Sequence, residues 1–203
     1  MNPTEQPLIH IVDDDAALRK AVARLLTAKG YCVASYASAE EFIAAEVSGH
    51  GCVLLDVRMP GLSGLQMQQQ LAGRRNSPPI IFITGHGSIA MTVMAMREGA
   101  EDFLSKPVSS EQLFGAIAAA LAKSAKQCEE EEELSRVRAC HALLTPREIE
   151  VMNQVIRGRL NKQIAFDLGT TERTIKAHRH QVMNKMGART VQDLVVLAQK
   201  AKR

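Results

Sequence analysis

The sequence lacks the features that would place the protein in a membrane or outside the cell. No apolar run in its 203 residues approaches the ~20 residues that a membrane-spanning helix needs. Residues 1–7 have neither a basic head nor a long apolar segment, so no secretory signal is expected. We therefore expect a cytoplasmic protein that makes no membrane contact.

Closely spaced cysteines are also missing. The four cysteines are scattered, without C-x-x-C spacing: Cys32, Cys52, Cys128 and Cys140. A disulfide framework or a structural zinc site is therefore not expected, and the pattern fits a reducing compartment. We predict that all four are buried thiols.

The composition is that of an ordinary globular protein, but its charge is unevenly distributed. Hydrophobic residues make up 46% and charged residues 23%, and the length suits two small domains. Residues 1–123 and 124–141 each carry a net charge of −2, whereas residues 142–203 carry +7. This concentration of positive charge indicates nucleic-acid binding at the C-terminal end.

The first 123 residues alternate between short apolar segments and segments with helical spacing. Strands are predicted over residues 8–12, 31–36, 52–55, 79–83 and 102–105, and helices over 16–29, 39–47, 65–73, 89–98 and from about 109. The alternation predicts an α/β fold with a five-stranded, parallel, doubly wound sheet. In such sheets, function gathers at the carboxyl ends of the strands.

A helical linker and a small all-α domain are predicted beyond this sheet. No proline interrupts residues 109–144, and the acidic run Glu129 to Glu133 indicates a solvated helical linker over 124–141. A coiled-coil dimer through this segment stays open. In residues 142–203, Thr145-Pro146-Arg147-Glu148 forms a capping box, and further helices are predicted over 161–168, 172–186 and 191–201, with Thr171 and Thr190 as caps.

The predicted strand ends carry polar residues that would meet at one edge of the sheet. They are Asp13 and Asp14, Asp56, Thr84, and Lys106 followed by Pro107. Clustered carboxylates repel one another unless a cation lies between them, and oxygen ligands favour Mg²⁺. Asp56 could then act as a nucleophile that forms an aspartyl phosphate. A cis bond before Pro107 would direct the lysine ammonium inward.

The motifs in this part of the chain resemble those of two-component receiver domains. They are Val12-Asp13-Asp14-Asp15, Leu55-Asp56-Val57-Arg58-Met59-Pro60-Gly61 with Gly64, Thr84-Gly85-His86-Gly87, and Phe103-Leu104-Ser105-Lys106-Pro107. Their order and spacing match over about residues 8–123.

The resemblance implies that a sensor histidine kinase phosphorylates Asp56. Mg²⁺ or Mn²⁺ would be bound by Asp14, Asp56 and the Arg58 carbonyl, with Asp13 acting through water. Thr84 and Lys106 would hold the phosphoryl oxygens, and Phe103 would be the aromatic switch residue. Asp15 is expected to cap the following helix, and Arg58 and His86 would flank the pocket.

The C-terminal helices resemble the LuxR/NarL helix-turn-helix. The resemblance covers about residues 142–203 and rests on Leu144-Thr145-Pro146-Arg147-Glu148, Gly158, Asn161-Lys162-Gln163-Ile164-Ala165, Leu168, Thr174-Ile175-Lys176-Ala177-His178 and Lys185-Met186. It implies base contacts by Lys176, Ala177 and His180, and backbone contacts by Asn161, Lys162, Thr171, Thr174, His178 and Lys185. Arg173 and Arg179 of the same helix are also expected to contact DNA. Leu160 replaces a common serine, which predicts a poorer helix cap.

Both halves together resemble FixJ-type response regulators. The resemblance implies a transcription regulator, expected to be an activator, that dimerises through its receiver when phosphorylated. It would bind paired DNA half-sites and contact RNA polymerase. No enzyme activity is expected beyond autophosphorylation and autodephosphorylation at the receiver aspartate. Two alternatives stay open: a phosphatase with an aspartyl nucleophile, and a phosphorylation-independent DNA-binding regulator with a vestigial receiver.

Overall fold

The protein is described by a computed structural model covering residues 6–47, 49–74, 77–85 and 88–201. The chain divides into two compact units, Met1–Glu129 and Glu130–Arg203. The division falls inside the segment predicted as a linker. In the described part of the chain, no helix is long and apolar enough to cross a membrane.

The described residues of the first unit contain one five-stranded parallel sheet, in the order β2-β1-β3-β4-β5. The strands are β1 Leu8–Val12, β2 Cys32–Tyr36, β3 Gly51–Leu55, β4 Ile80–Thr84 and β5 Asp102–Ser105. The non-sequential order means that crossover helices cover both faces, as expected for parallel strands. The predicted doubly wound α/β fold is confirmed.

The helices of this unit are α1 Ala16–Ala28, α2 Ala39–Ala44, α3 Gly64–Leu71, α4 Ile89–Arg97 and the first part of α5 Ser110–Ala142, whose residues beyond Glu129 belong to the second unit. Alternate strand residues face opposite sides of the sheet. On β3, Val53 and Leu55 join the core that contains Phe42 of α2 and Met67 of α3. Cys52 and Leu54 join the opposite core, with residues of α1 and α5.

Two helix ends show how local residues set the boundaries. Asp15 caps α1, because its side chain accepts hydrogen bonds from the backbone N–H groups of Ala17 and Leu18, as predicted. Helix α2 ends at Ala44 rather than at the predicted Val47. Glu46 has a φ of 46°, a left-handed conformation that cannot continue a right-handed helix.

In the second unit, the end of α5 packs with α6 Pro146–Val155, α7 Asn161–Asp167, α8 Glu172–Met186 and α9 Val191–Ala201. The predicted capping box is present, since the Thr145 side chain and Glu148 bond to each other's backbone N–H groups. Thr171 caps α8, and Thr190 pairs with Asp193 at the start of α9. Leu160 has no side-chain acceptor, so Gln163 provides the polar bond at the start of α7.

The prediction of four buried thiols is wrong for three of them. Cys52 is buried, and burial raises the pKa of its thiol to about 12. Cys128 and Cys140 are only partly buried, and Cys32 is exposed. Cys32 begins β2, which lies at the edge of the sheet, so one side of that strand faces solvent.

Candidate functional sites

Strand register brings the two central aspartates together. Val12 of β1 lies opposite Leu55 of β3, so the residues that follow them, Asp13 and Asp56, leave the sheet side by side. The backbone N–H of Asp56 also donates to the Val12 carbonyl at 2.8 Å. Both aspartates are buried, with exposed fractions of 5% for Asp13 and 7% for Asp56.

Lys106 bridges the two carboxylates. Its Nζ lies 2.9 Å from Oδ2 of Asp13 and 2.8 Å from Oδ1 of Asp56. The strand pair Thr84–Ser105 places Lys106 at this edge, and its backbone N–H donates to the Thr84 carbonyl at 2.8 Å. The bond between Lys106 and Pro107 is cis, as the sequence indicated.

The charges of Lys106, Asp13 and Asp56 do not cancel. Partial burial acts to lower the pKa of Lys106, but its hydrogen bonds with Asp56 and Asp13 outweigh burial, and the pKa lies above the ordinary value. Lys106 therefore stays an ammonium at neutral pH. One ammonium faces two carboxylates, which leaves the cluster short of one positive charge.

The remaining carboxylate oxygens are held by backbone groups. The Asp15 N–H donates to Oδ1 of Asp13 at 2.8 Å, and the Arg58 N–H donates to Oδ2 of Asp56 at 2.7 Å. These bonds fix both carboxylates without neutralising them. They also bring the Arg58 backbone against Asp56, where a carbonyl ligand was predicted.

Gly64, which belongs to the receiver-like motif, and Glu40, for which the sequence indicated no role, position the Asp56 segment. A side chain at Gly64 would overlap the Asp56 carbonyl, which explains the glycine at the start of α3. Glu40 of α2 accepts from the Leu62 backbone N–H at 2.8 Å and holds the loop between β3 and α3. Backbone hydrogen bonds, first that of Glu40 itself, lower the pKa of this carboxyl.

The predicted side chains carry the type of oxygen atom that Mg²⁺ prefers, but they are not arranged as a complete metal site. All the side-chain donors are carboxylate oxygens, which Mg²⁺ prefers. However, among the described residues no group of three or more His, Cys, Asp or Glu side chains is placed to hold a metal. Asp14 is exposed, whereas Asp13 and Asp56 are engaged with Lys106. The three predicted carboxylates are therefore not gathered around one point.

The other predicted receiver residues lie around this cluster. Thr84 is buried at the end of β4, with an exposed fraction of 1%. Phe103 is partly buried, packs against the core on the α2–α4 side, and lies 5.9 Å from the Phe82 ring. Arg58 is exposed. His86 lies outside the described residues.

In the second unit, α8 presents one buried and one exposed face. Ile175, Val182 and Met186 are buried in the core. Three residues expected to contact bases are exposed: Lys176, Ala177 and His180. Arg173, Thr171 and Lys162 are also exposed, whereas Thr174, His178 and Asn161 are partly buried.

Lys185, a predicted phosphate contact, also forms an ion pair within the second unit. Its Nζ lies 2.7 Å from Oε2 of Glu148 and donates to the Leu143 carbonyl at 3.2 Å. Glu148 is buried, and this hydrogen bond with Lys185 is the main cause that lowers the pKa of Glu148. We therefore infer that Lys185 also stabilises the fold of the unit. A buried capping carboxylate needs such a cation.

Two further predicted DNA contacts are linked to each other. Arg179 of α8 donates from Nη1 to Oδ1 of Asn161 at the start of α7, over 3.1 Å. This bond joins the two helices at the face that carries the positive charge. Thr171 and Thr174 also share a hydroxyl contact of 2.8 Å.

Comparison with known proteins identifies both units. The family described as "Response regulator receiver domain" matches residues 9–118, and the family "Bacterial regulatory proteins, luxR family" matches residues 142–198. The chain therefore belongs to the two-component response regulators and joins a receiver to a LuxR-type DNA-binding domain.

Full-length relatives define the group more narrowly. "Response regulator protein TmoT" of Ectopseudomonas mendocina is 42% identical over 98% of this chain and 90% of that protein. "Transcriptional regulatory protein FixJ" of Azorhizobium caulinodans is 40% identical over 94% of this chain and 90% of that protein. The structure of response regulator StyR is 40% identical, covers 97% of this chain and 100% of StyR, and has a TM-score of 0.85. The chain is thus a FixJ-like transcription regulator, a class controlled by phosphorylation.

Proposed function

We propose that Asp56 accepts a phosphoryl group from a sensor histidine kinase. The observation that carries this proposal is the buried pair of carboxylates that share one ammonium, Asp13 and Asp56 with Lys106. An Asp56 oxygen would form a bond to phosphorus while the bond to the donor's leaving group breaks. The Lys106 ammonium would then pair with the new phosphoryl oxygens.

The same cluster would hold Mg²⁺ or Mn²⁺. Asp14, Asp56 and the Arg58 carbonyl would be direct ligands, with Asp13 acting through water. When bound, the ion supplies positive charge that offsets the charge developing on the transferred phosphoryl group. Asp14 is exposed and next to Asp13, so it is free of the core packing that would resist its reorientation.

Thr84 and Phe103 would carry the signal away from Asp56. The Thr84 hydroxyl would bind a phosphoryl oxygen, which draws β4 toward Asp56, and Phe103 would move into the space released. Phe103 is only partly buried, so its reorientation does not require the core to open. The expected result is a changed surface over residues 88–123.

That surface would pair two chains. Helix α4 exposes several large apolar side chains for its length: Ile89 at 87%, Val93 at 44%, Met94 at 45% and Met96 at 44%. Apolar side chains grouped on one helix favour a protein contact over solvent. A receiver dimer would place two DNA-binding units on half-sites about one helical turn apart.

On DNA, the exposed N-terminal part of α8 would enter the major groove. Lys176, Ala177 and His180 would face base edges, and Lys162, Thr171, Arg173, Thr174, His178 and Lys185 would contact the backbone. Asn161 and Arg179 would contact the backbone as a linked pair. RNA polymerase would be the partner of the DNA-bound dimer in the cytoplasm, where the protein acts as an activator. The only chemistry of the chain itself would be phosphorylation and dephosphorylation of Asp56.

The test compares wild-type protein with Asp56→Ala, each with and without an acyl phosphate and Mg²⁺. Wild-type protein should take up the phosphoryl group, dimerise and bind its operators more tightly, with genome-wide occupancy rising accordingly. Asp56→Ala should show none of these responses. Every side chain that this chemistry needs is present. Unchanged assembly and DNA affinity in phosphorylated wild-type protein would nevertheless contradict the proposed switch and favour the vestigial-receiver alternative.

A further inference from the structure

A cavity of about 230 Å³ lies within the first unit, next to the phosphoacceptor cluster. Its walls come from Leu18, Val22 and Leu25 of α1, from apolar strand residues such as Leu54, and from Leu113 of α5. Asp13, Asp56 and Lys106 also line it. We refer to it below as the α1–α5 cavity.

The size and lining of this cavity determine which kind of ligand it can bind. Protein interiors rarely leave voids larger than a water molecule, and apolar cavities do not hold water well. An apolar cavity of about 150 Å³ in another protein takes up benzene. The α1–α5 cavity is larger and is partly open to solvent, and apart from the charged cluster its walls are almost entirely aliphatic.

The charge at one end of the cavity further restricts which ligands can bind. Two carboxylates and one ammonium line that end, so without a bound cation a ligand with a carboxylate or phosphate of its own would be repelled. A neutral molecule meets no such penalty. Leu25 is 36% exposed and Pro107 is exposed, so the lining reaches the surface and gives a small molecule a route in.

We propose that the α1–α5 cavity binds a small neutral apolar molecule, of about the size of a single aromatic ring, and that its occupancy slows phosphorylation of Asp56. The second part rests on the function proposed above. A ligand in contact with Asp56 and Lys106 would occupy space beside the attacking oxygen and restrict the movement of the lysine toward an incoming phosphoryl group.

Binding is tested on the full chain by methyl NMR during titration with benzene and, separately, with benzoate. Benzene should shift the methyl signals of Leu18, Val22 and Leu113 saturably, while the Val196 methyls of α9 stay unchanged. Benzoate should bind at least ten-fold more weakly. Shifts that do not saturate, that spread equally over both units, or that are as large with benzoate would overturn the proposal.

Variants locate the site. Val22→Phe fills the cavity and should abolish the saturable shifts, whereas Val196→Phe, the same change at a residue that is 51% exposed in the other unit, should leave them intact. If Val22→Phe does not fold, Leu25→Gln at the exposed rim should weaken benzene binding several-fold. Unaltered binding in the folded cavity variants would contradict the assignment.

The functional consequence is measured as the rate of Asp56 labelling by an acyl phosphate with Mg²⁺. Saturating benzene should slow labelling several-fold in wild-type protein and not in Val22→Phe. Saturable binding with an unchanged labelling rate would disprove the coupling. Absence of labelling in all samples, with benzene binding retained, would instead disprove the proposed function and leave the binding site standing.

Discussion

Each unit of this protein buries a lysine–carboxylate contact, and the two contacts differ in their charge balance. In the second unit, Lys185 faces one carboxylate, that of Glu148, and the pair is neutral. In the first unit, Lys106 faces both Asp13 and Asp56. The neutral pair of Lys185 and Glu148 caps a helix and stabilises the fold. The cluster of Lys106, Asp13 and Asp56 carries a net negative charge at the strand ends, which attracts a cation.

The remaining partners of each contact reinforce this difference. Glu148 also accepts from the Thr145 backbone N–H at 2.8 Å, so its carboxylate is committed to starting α6. Asp13 and Asp56 receive backbone hydrogen bonds too, but these come from loop residues beyond their strands. Reorganising the first cluster therefore breaks no helix cap, while breaking the second would remove one.

Lys106→Met is expected to have the largest effect on stability, and its response to Mg²⁺ should distinguish the Lys106 contact from the Lys185 contact most clearly. Without Mg²⁺, two buried carboxylates would lack a counter-charge, which should destabilise the receiver by about 3 kcal/mol. Mg²⁺ should restore much of that loss. Both tyrosines, Tyr31 and Tyr36, lie in the receiver and the chain has no tryptophan, so intrinsic fluorescence during urea unfolding reports this unit selectively. A loss that Mg²⁺ cannot restore would contradict the unbalanced-charge account.

Lys185→Met should destabilise the second unit by about 2 kcal/mol, because Glu148 would keep its charge without its cation. Mg²⁺ should not rescue this variant. Hydrogen exchange read by mass spectrometry can follow α6 and α8 separately from the receiver. The control is Lys200→Met, which breaks the exposed pair with Glu133 and should change stability by less than about 0.5 kcal/mol. Equal losses of stability in the two variants would show that the pair with buried Glu148 contributes no more to stability than an exposed pair.

Acid should weaken the receiver through a buried histidine. His10 of β1 lies 3.2 Å from the Tyr36 hydroxyl and packs edge-on against Phe42, and burial lowers the pKa of His10 to about 4. The folded receiver thus binds a proton less readily than the unfolded chain, whose histidine pKa is about 6.5. The stability that neutral His10 provides is complete above pH 6.5 and is lost as pH falls toward 4.

The expected loss from this histidine is roughly 2 kcal/mol between pH 7.5 and pH 4.5. Tyrosine-monitored unfolding at both values, in wild-type protein and in His10→Leu, isolates the contribution. The variant should show a smaller pH dependence than the wild type. The same pH dependence in both proteins would assign the acid sensitivity to other groups.

Mg²⁺ should stabilise the wild-type receiver by a smaller amount. An ion at ten times its dissociation constant adds about 1.4 kcal/mol to the stability of the state that binds it. Unfolding followed by tyrosine fluorescence should therefore shift with MgCl₂, while hydrogen exchange in α6–α9 should not. In Asp13→Asn one carboxylate faces one ammonium, so most of the shift should vanish. A matching response in both units would indicate a general salt effect.

Much of the fold and of the receiver site follows from local sequence pattern. The strands are short and bounded by glycine, aspartate or proline, and their carboxyl ends share one edge, so Asp13, Asp56 and Lys106 could be placed together without coordinates. Helix caps at Asp15, Thr145 and Thr171 were predictable for the same reason, because a cap depends only on residues within one turn.

The features that could not be predicted depend on packing between distant segments. Glu148 and Lys185 are 37 residues apart, and nothing in either local pattern indicates that they pair. The exposure of Cys32 follows from the edge position of β2, which the alternation of strands and helices does not specify. The α1–α5 cavity depends on how closely two helices approach the sheet, and sequence spacing does not fix that distance.

Phosphorylation of Asp56 is tested most directly by following a radiolabelled phosphoryl group from an acyl phosphate donor onto the protein in the presence of Mg²⁺. The label should be found in the peptide containing Asp56, omission of Mg²⁺ should greatly reduce it, and Asp56→Asn should abolish it. Label at another residue, or none on folded wild-type protein with Mg²⁺ present, would contradict the account.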